Sequence, residues 1–420
     1  MSQKFYDPMF YLCSDKMPFT IRIEISLTEK VDIALMTKAA NTAIKRFPYF
    51  RMTLVRKGNE LVVEPNDKPI VVYEGNDYIP INDERINGHL VAIAVDDKTV
   101  HFMTTHVITD GCGFVPFMKS VLYYYYCYVT GETLDPTGIY LADEPLYDDE
   151  IANPFPEDKM ANAEPMYTDN GKPYLKYAEL NNDIDNKPTI FRFRIKESDV
   201  VRFSHDNDAS PCALFSALMS QAVMDVHPDN EKDIISAVSF NYRGALGNKH
   251  NYRMLCNALR LRYPKRTADY DITRLCTCTR GMISLQSQPE NALYYAQNMK
   301  EGLERVIALP DVESKQKALM DKALYDSVDT TFSISYVGRI SFGSVEKYIT
   351  SMRNYTDGSI YESSFIEMSA INGWVFINFL QSFSNDVYYK ALLNRLKKNN
   401  IEYIEEESGE LILPGIVLPL

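Results

Sequence analysis

The stretch MTTHVITDGCGFVPF (residues 103–117) interrupts the apolar alternation of a strand with a histidine, an aspartate and two glycines. Glycine permits tight turns without Cβ clashes, so Gly111 and Gly113 predict a loop that folds the Asp110 carboxylate back beneath the His106 ring. Two interpretations fit this spacing. One is an ordinary strand end with a structural histidine, and the other is a histidine presented for acid–base chemistry.

The elements around this stretch follow from residue periodicity. Alternation in residues 19–27 predicts a strand, and apolar residues at every fourth position predict a helix over Val31–Arg46 that Pro48 ends. The same reasoning predicts a meander of short strands at 52–58, 60–65 and 69–74, two strands over 89–106 joined at Asp96 and Asp97, and a helix over 113–131.

A change of composition divides the chain. Residues 141–187 are rich in proline, asparagine and acidic side chains, without sustained periodicity, which is typical of a crossover linker. Strands and helices then alternate as they do in the first third of the chain: strands at 189–195, 233–240, 330–338 and 372–380, with helices at 210–226, 291–309 and 386–398. We therefore predict an N-terminal lobe (1–145), a linker (146–187) and a C-terminal lobe (188–420).

The overall composition excludes several classes of function. The net charge of −13 and the lack of a Lys/Arg stripe interleaved with aromatic residues argue against nucleic-acid binding. No apolar run is long enough to span a bilayer, and the first residues lack the order of a signal peptide. Seven cysteines without framework spacing favour a reducing compartment. We expect a soluble, cytoplasmic protein.

Two further cysteine patterns have competing explanations. Cys276 and Cys278 would share one face of a strand, but no further ligands are evident nearby, so we predict no metal site. Cys112 lies six residues after His106, which is compatible with a Cys–His nucleophile. Its position after the turn favours the alternative of a small buried thiol at the start of the following helix.

The motif H106-V-I-T-D110-G111, between a strand and a helix, resembles the His-x-x-x-Asp-Gly motif of the condensation-domain superfamily. That superfamily includes chloramphenicol acetyltransferase, and the alcohol acetyltransferases are the branch this chain resembles most. Residues 34–54 resemble its first helix and the Arg-x-Pro-x-Phe-Arg ending, residues 237–259 its Asn-x-Arg strand and loop, and residues 333–340 its Ser-Asn-x-Gly segment. The matched segments span the chain in the expected order. Thr105 replaces the first of two histidines found in condensation domains, and Tyr336 replaces the Asn.

The resemblance implies an α/β (α+β) fold of two chloramphenicol acetyltransferase-like lobes, each a largely antiparallel or mixed sheet flanked by helices, with a tunnel between them. It implies acyl transfer, most simply of an acetyl group, from acyl-CoA as a co-substrate to a small alcohol or amine, with His106 as the general base. Asp110 would pair with Arg243, or alternatively with Arg51.

The same resemblance suggests where the charged intermediate and the donor bind. The oxyanion would be held by the Gly111 N–H, by Ser335 or by the Tyr336 hydroxyl. Lys249, His250 and Arg253 form a basic loop that would contact the phosphates of coenzyme A, although an exposed basic loop explains them equally well.

Two other functions remain open at this point. One is a condensation-type enzyme whose donor is attached to a carrier protein instead of free coenzyme A. The other is a non-catalytic binding protein that retains the fold, for which the unusual Tyr336 is the main support. No permanently bound cofactor is expected.

Overall fold

The computed structural model describes residues 7–14, 17–167, 174–175, 185, 187–327, 330–356 and 364–419, and side chains are not considered for 321–327. Its strands are β1 (Thr20–Leu27), β2 (Met52–Lys57), β3 (Glu60–Pro65), β4 (Val72–Glu74), β5 (Val91–Asp96), β6 (Thr99–Thr105), β7 (Thr189–Lys196), β8 (Ile234–Asn241), β9 (Cys256–Tyr263), β10 (Phe332–Arg339), β11 (Ile349–Thr356), β12 (Ser364–Ile371), β13 (Trp374–Gln381) and β14 (Ile404–Glu410).

The described α-helices are α1 (Ile33–Ala43), α2 (Gly111–Thr130), α3 (Glu157–Met160), α4 (Glu197–Asp206), α5 (Pro211–Val226), α6 (Arg243–Leu246), α7 (Ile272–Gln286), α8 (Pro289–Ile307), α9 (Val312–Ser327) and α10 (Val387–Lys398). Short 3-10 helices occur at Asp7–Leu12, Ile44–Arg46, Pro48–Phe50, Glu84–Ile86, Lys265–Asp269 and Gly343–Tyr348. None of these described helices combines the length and apolar character needed to cross a bilayer.

Local sequence signals account for the helix ends. The Asp110 carboxylate caps α2 by accepting a hydrogen bond from the Gly113 N–H, and Gly131 ends the helix with a left-handed φ of 73°. Ser210 caps α5 in the same way, with Pro211 in the first helical position, where its missing N–H has no cost. These caps explain why α2 and α5 lie close to their predicted positions.

Two sheets with different strand orders form the body of the molecule. The first has five strands in the order β11-β1-β6-β5-β4, and the second has seven in the order β14-β7-β13-β12-β10-β8-β9. Most neighbours are antiparallel, but β4 runs parallel to β5, and β10 runs parallel to both β8 and β12. One hydrophobic cluster packs α1 and α2 on the first sheet, and a second packs α5 and α10 on the second sheet. The predicted fold class of two mixed sheets flanked by helices is confirmed.

Some predicted details are wrong. The meander is replaced by a separate β2–β3 ribbon, while β4 joins the first sheet beside β5. The Cys276–Cys278 segment lies in helix α7 instead of a strand, so Cys276 is buried and Cys278 is exposed. The periodicity of the sequence did not predict the helices α4, α7 and α9 or the strands β9, β11, β12 and β14.

The link between the two halves is partly described. Strand β11 belongs to the C-terminal half of the chain but pairs with β1 in the first sheet, so the two halves share a sheet. Residues 168–173, 176–184 and 186 of the predicted linker lie outside the described residues. The boundaries 1–145, 146–187 and 188–420 stay a prediction.

Candidate active site

His106 directly follows β6 and is held by Phe19, the residue before β1. Its backbone N–H donates to the Phe19 carbonyl at 2.8 Å, and its ring lies 5.5 Å from the Phe19 ring, centroid to centroid. The side chain is half-buried. The end of a paired strand therefore fixes the backbone from which the imidazole projects.

The loop after His106 determines which ring nitrogen can act as a base. The Nδ1 atom lies 3.1 Å from the Thr109 carbonyl oxygen. A carbonyl can only accept, so this contact assigns the proton to Nδ1 and leaves Nε2 with a free lone pair. Burial lowers the pKa of His106, and this effect outweighs the opposing influence of the Asp110 charge and the Thr109 carbonyl. The ring is therefore neutral at physiological pH.

Asp110 lies at the cavity, and its carboxylate joins the two halves of the chain. Its two oxygens accept hydrogen bonds from Arg243 at 2.9 and 2.8 Å, and they also accept the N–H groups of Gly113 and Leu255 at 2.8 Å each. Burial alone would raise the pKa of Asp110, but Arg243 and these hydrogen bonds hold the pKa below its ordinary value.

The Arg243 guanidinium makes further bonds that clamp the motif loop to the segment after α6. It donates to the backbone carbonyls of Asn251 at 2.7 Å and Arg253 at 2.6 Å. The expected alternative partner, Arg51, lies elsewhere and pairs with the exposed Asp67 at 2.8 Å. The choice between the two arginines is thus decided in favour of Arg243.

Only one of the two motif glycines is required by close packing. A Cβ on Gly113 would lie 2.1 Å from the Tyr252 carbonyl oxygen, so no other residue fits without displacing the backbone. A Cβ on Gly111 would meet Val337 at an ordinary 3.5 Å. Thr109 reinforces the same junction, because its hydroxyl donates to the Tyr252 carbonyl at 2.6 Å.

A cavity of about 370 Å³ lies between the two halves and is lined by both. His106, Gly111 and Cys112 face it from the first half, together with Phe19 on the chain leading into β1. The second half contributes residues of β8, β9, β10 and β12, and β11 adds three more. His106 is therefore neither on open surface nor enclosed in hydrocarbon, but at the wall of a cavity.

The candidate oxyanion donors lie around the same cavity. Gly111 is the first residue of α2, where backbone N–H groups have no acceptor within the helix. Ser335 and Tyr336 also line the cavity, but the Ser335 hydroxyl hydrogen-bonds to the Glu367 carboxyl. The Tyr336 ring packs against the second hydrophobic cluster, and burial raises its pKa to about 12.

Cys112 is a poor nucleophile in this environment. Burial, reinforced by the nearby Asp110 charge, raises the pKa of its thiol to about 11. A reactive cysteine requires the opposite shift, because the thiolate is the attacking species. The geometry supports the interpretation of a small thiol in the first turn of α2.

The basic loop contacts the predicted linker through His250 and Arg253. The His250 ring hydrogen-bonds to Asp149 at 2.9 Å and stacks on Tyr147, and Arg253 donates to the carbonyls of Ile151 and Ala152. Lys249 is exposed, and the cavity lining includes none of Lys249, His250 and Arg253. The loop fastens the start of the linker instead of facing the cavity.

Two cavity residues have no counterpart among the sequence candidates. Glu367 on β12 is 6% exposed and Asn354 on β11 is 7% exposed. Neither lies in a recognisable motif, and β11 and β12 were themselves missed. For Glu367 the available signal was a charged residue within the largely apolar β12, whereas β11 carries several polar residues and offered no such signal for Asn354. Among the described residues, no cluster of three or more His, Cys, Asp or Glu side chains could hold a metal.

Comparison with known proteins identifies the architecture. No family model matches the chain, and no curated protein matches its sequence. Among solved structures, polyketide synthase associated protein 5 from Mycobacterium tuberculosis superposes with a TM-score of 0.62 at 13% identity, over 94% of this chain and 96% of that one. TRI101 of F. sporotrichioides, complexed with coenzyme A and T-2, gives 0.60 at 10% identity over 94% and 98%.

The fold is shared with a condensation domain as well as with these two proteins. A third structure, the starter condensation domain of rhizomide synthetase RzmA in complex with C8-CoA, superposes with a TM-score of 0.60 at 13% identity, over 94% of this chain and 93% of that one. Each superposition covers nearly the full length of both proteins, so both halves of this chain share the fold. The condensation-domain fold thus confirms the resemblance at the level of architecture.

Proposed function

We propose that this protein is an acyltransferase that moves an acyl group, most simply acetyl, from a coenzyme A thioester to a hydroxyl or amine. The observation that carries the proposal is His106, neutral and with Nε2 unprotonated, at the wall of a cavity between the two halves. The coenzyme A and C8-CoA complexes of structures that share the fold support the thioester as donor.

The reaction follows from this geometry. Nε2 of His106 removes the proton from the acceptor as its oxygen or nitrogen attacks the thioester carbonyl carbon. The Gly111 N–H, at the positive end of helix α2, stabilises the resulting oxyanion. Collapse of the tetrahedral intermediate breaks the carbon–sulfur bond, and the imidazolium returns its proton to the leaving thiolate. A positioned base of this kind contributes roughly 10²–10⁴ in rate.

Asp110 is a positioning residue in this mechanism. It caps α2 and binds Arg243 while the adjacent Thr109 carbonyl orients the imidazole, so it holds the loop without touching the acceptor. The covalent alternative through Cys112 would need a thiolate that burial disfavours.

The decisive experiment measures thiol release from acetyl-CoA with a panel of alcohols and amines. We expect His106→Ala to lose about 10²–10⁴ in kcat/KM. His205→Ala is the matched control, because His205 is an exposed histidine outside the cavity and its loss should leave the rate unchanged. Equal release by wild type and His106→Ala would overturn the assignment of the base.

A second arm of the assay tests the donor. His250 and Arg253 of the basic loop expected to bind the phosphates hydrogen-bond to the linker, whereas Lys249 is exposed. Turnover with an acetylated carrier protein but not with acetyl-CoA would favour a condensation-type enzyme. Lack of turnover with both donors, over the whole panel, would favour a binding protein that retains the fold.

A further inference from the structure

A buried amide at the cavity has no hydrogen-bond partner within the part of the chain that the structure describes. Asn354 lines the cavity from β11, and neither its side-chain oxygen nor its nitrogen has a partner among the described residues. It is more than nine-tenths buried. Leaving a buried amide unpaired is unfavourable, so folded proteins seldom retain one without a use. A ligand that enters the cavity would supply the missing partner.

A carboxyl group accompanies this amide. Glu367 lines the same cavity from β12 and hydrogen-bonds to Ser335, its neighbour in register on β10. Its cross-strand partner on β13 is Asn378, whose amide donates to the Asn354 backbone carbonyl at 2.7 Å. Asn378 thus connects the two residues. Burial raises the pKa of Glu367 to about 8, so its carboxyl is protonated at neutral pH and can both donate and accept.

The register of the first sheet gives the distance of this polar pair from His106. His106 bonds to the backbone of Phe19, whereas Asn354 pairs with Ile23, four residues further along the chain and on β1. A rise of about 3.3 Å per residue, combined with the lateral offset between strands and the inward reach of the side chains, separates the groups by on the order of 10–15 Å. On β1 the wall between them is formed by the apolar side chains of Ile21 and Ile23, and on β11 it includes Thr356, the register partner of Ile21.

We propose that Asn354 and Glu367 form a specificity site for a second hydroxyl group of the acceptor, separated from the reacting hydroxyl by an apolar chain. The acceptor class is then a long diol or hydroxylated lipid-like alcohol, because a neutral amide and a neutral carboxyl suit an uncharged group that donates and accepts. This inference rests on the proposed acyltransferase function. It adds a recognition element that would distinguish such acceptors from simple alcohols of the same length.

The test compares 1,10-decanediol with 1-decanol, and 1,4-butanediol with 1-butanol, as acceptors for acetyl-CoA. We expect kcat/KM for decanediol to exceed that for decanol by about tenfold, since a site built for a hydroxyl discriminates against analogues that lack it. Butanediol, whose second hydroxyl cannot reach the site, should show only the statistical advantage of two equivalent ends.

Variants assign the preference to the two residues. Asn354→Leu and Glu367→Leu should each reduce the decanediol-to-decanol ratio towards that statistical value, and Glu367→Gln should largely restore it because an amide also donates and accepts. Ser333→Ala is the control, because Ser333 lies on the same strand as Ser335 but outside the cavity lining. A ratio that stays high in both Leu variants, or an equal preference at the shorter length, would overturn the proposal.

Binding measurements separate this inference from the proposed reaction. Calorimetric titration of the protein with decanediol and with decanol reports the specificity site without turnover. Discrimination in binding without thiol release would refute the reaction and retain the site, whereas thiol release without discrimination would refute the site alone. Asn354→Leu should melt no lower than wild type, because both amide atoms it removes are unpaired. A much lower melting temperature would show that the amide is structural.

Discussion

Replacing Asp110 by Ala tests how the structure holds the catalytic loop. The side chains of Asp110 and Arg243 are 3% and 7% exposed, and the carboxylate accepts four hydrogen bonds. Removing it leaves the guanidinium buried with its charge uncompensated. Loss of one partner of such a pair costs about 3–5 kcal/mol, so Asp110→Ala should lower the free energy of unfolding by that amount.

The assay is urea denaturation followed by the fluorescence of Trp374, the single tryptophan of the chain. The double variant Asp110→Ala/Arg243→Ala should lose less than the sum of the single variants by about 1–3 kcal/mol, because the two residues interact directly. Asp67→Ala is the control: it breaks the solvent-exposed pair with Arg51, where water screens the attraction, and should leave the midpoint nearly unchanged.

The pH dependence of this stabilisation has a defined sign. The folded-state pKa of Asp110 lies below its ordinary value, so the contribution is complete above the unfolded pKa of about 3.9 and is lost as the pH falls through the folded pKa. If Asp110→Ala lowers the free energy of unfolding by less than about 1 kcal/mol at neutral pH, the reasoning is refuted. Such a result would mean that the buried Arg243 guanidinium is stable without a carboxylate partner.

Three further predictions follow from the site. The acid limb of the kcat/KM profile should have an apparent pKa below 6.5, since burial lowers the pKa of His106; a limb above 7 would contradict a buried neutral base. Gly113→Ala should reduce both the melting temperature and the activity, because its Cβ would lie 2.1 Å from the Tyr252 carbonyl oxygen. A melting temperature equal to that of wild type, measured by thermal unfolding, would contradict this packing. As the pH rises from about 4.5 to 8, the free energy of unfolding should decrease by about 3–5 kcal/mol in total because of Glu367. Over this range the Glu367 carboxyl keeps its proton in the folded state but loses it in the unfolded state. Glu367→Gln should remove that dependence in denaturation curves collected across this range, and an equal slope in both proteins would exclude Glu367 as its source.

Local patterns in the sequence were sufficient for many elements. Strand β1 and helix α2 were predicted close to their observed bounds, because alternation, an N-terminal Asp cap and a C-terminal Gly are encoded by adjacent residues. The same short-range logic placed His106 at a strand end beside a tight loop. Helix α7 was missed because its apolar pattern is weak and its two cysteines mimic strand spacing.

Contacts between distant residues needed the tertiary structure. The pairing of Asp110 with Arg243 joins residues 133 positions apart. The sequence distance from Asp110 does not show whether Arg243 or Arg51 is its partner. His250 and Arg253 looked suited to phosphates in sequence, but in the structure their side chains hydrogen-bond to the linker. A long side chain can reach many partners, so its residue type restricts the chemistry without selecting the contact.

The sequence by itself determined the motif, the order of most elements and the resemblance to a two-lobed acyltransferase fold, because these depend on periodicity and on short spacings. Only the tertiary structure decided that β11 crosses into the first sheet and that Asn354 and Glu367 line the same cavity as His106. The physical reason is that a cavity is formed by surfaces brought together in folding. Its lining depends on strand register and on packing between the two sheets, which no local pattern of residues specifies.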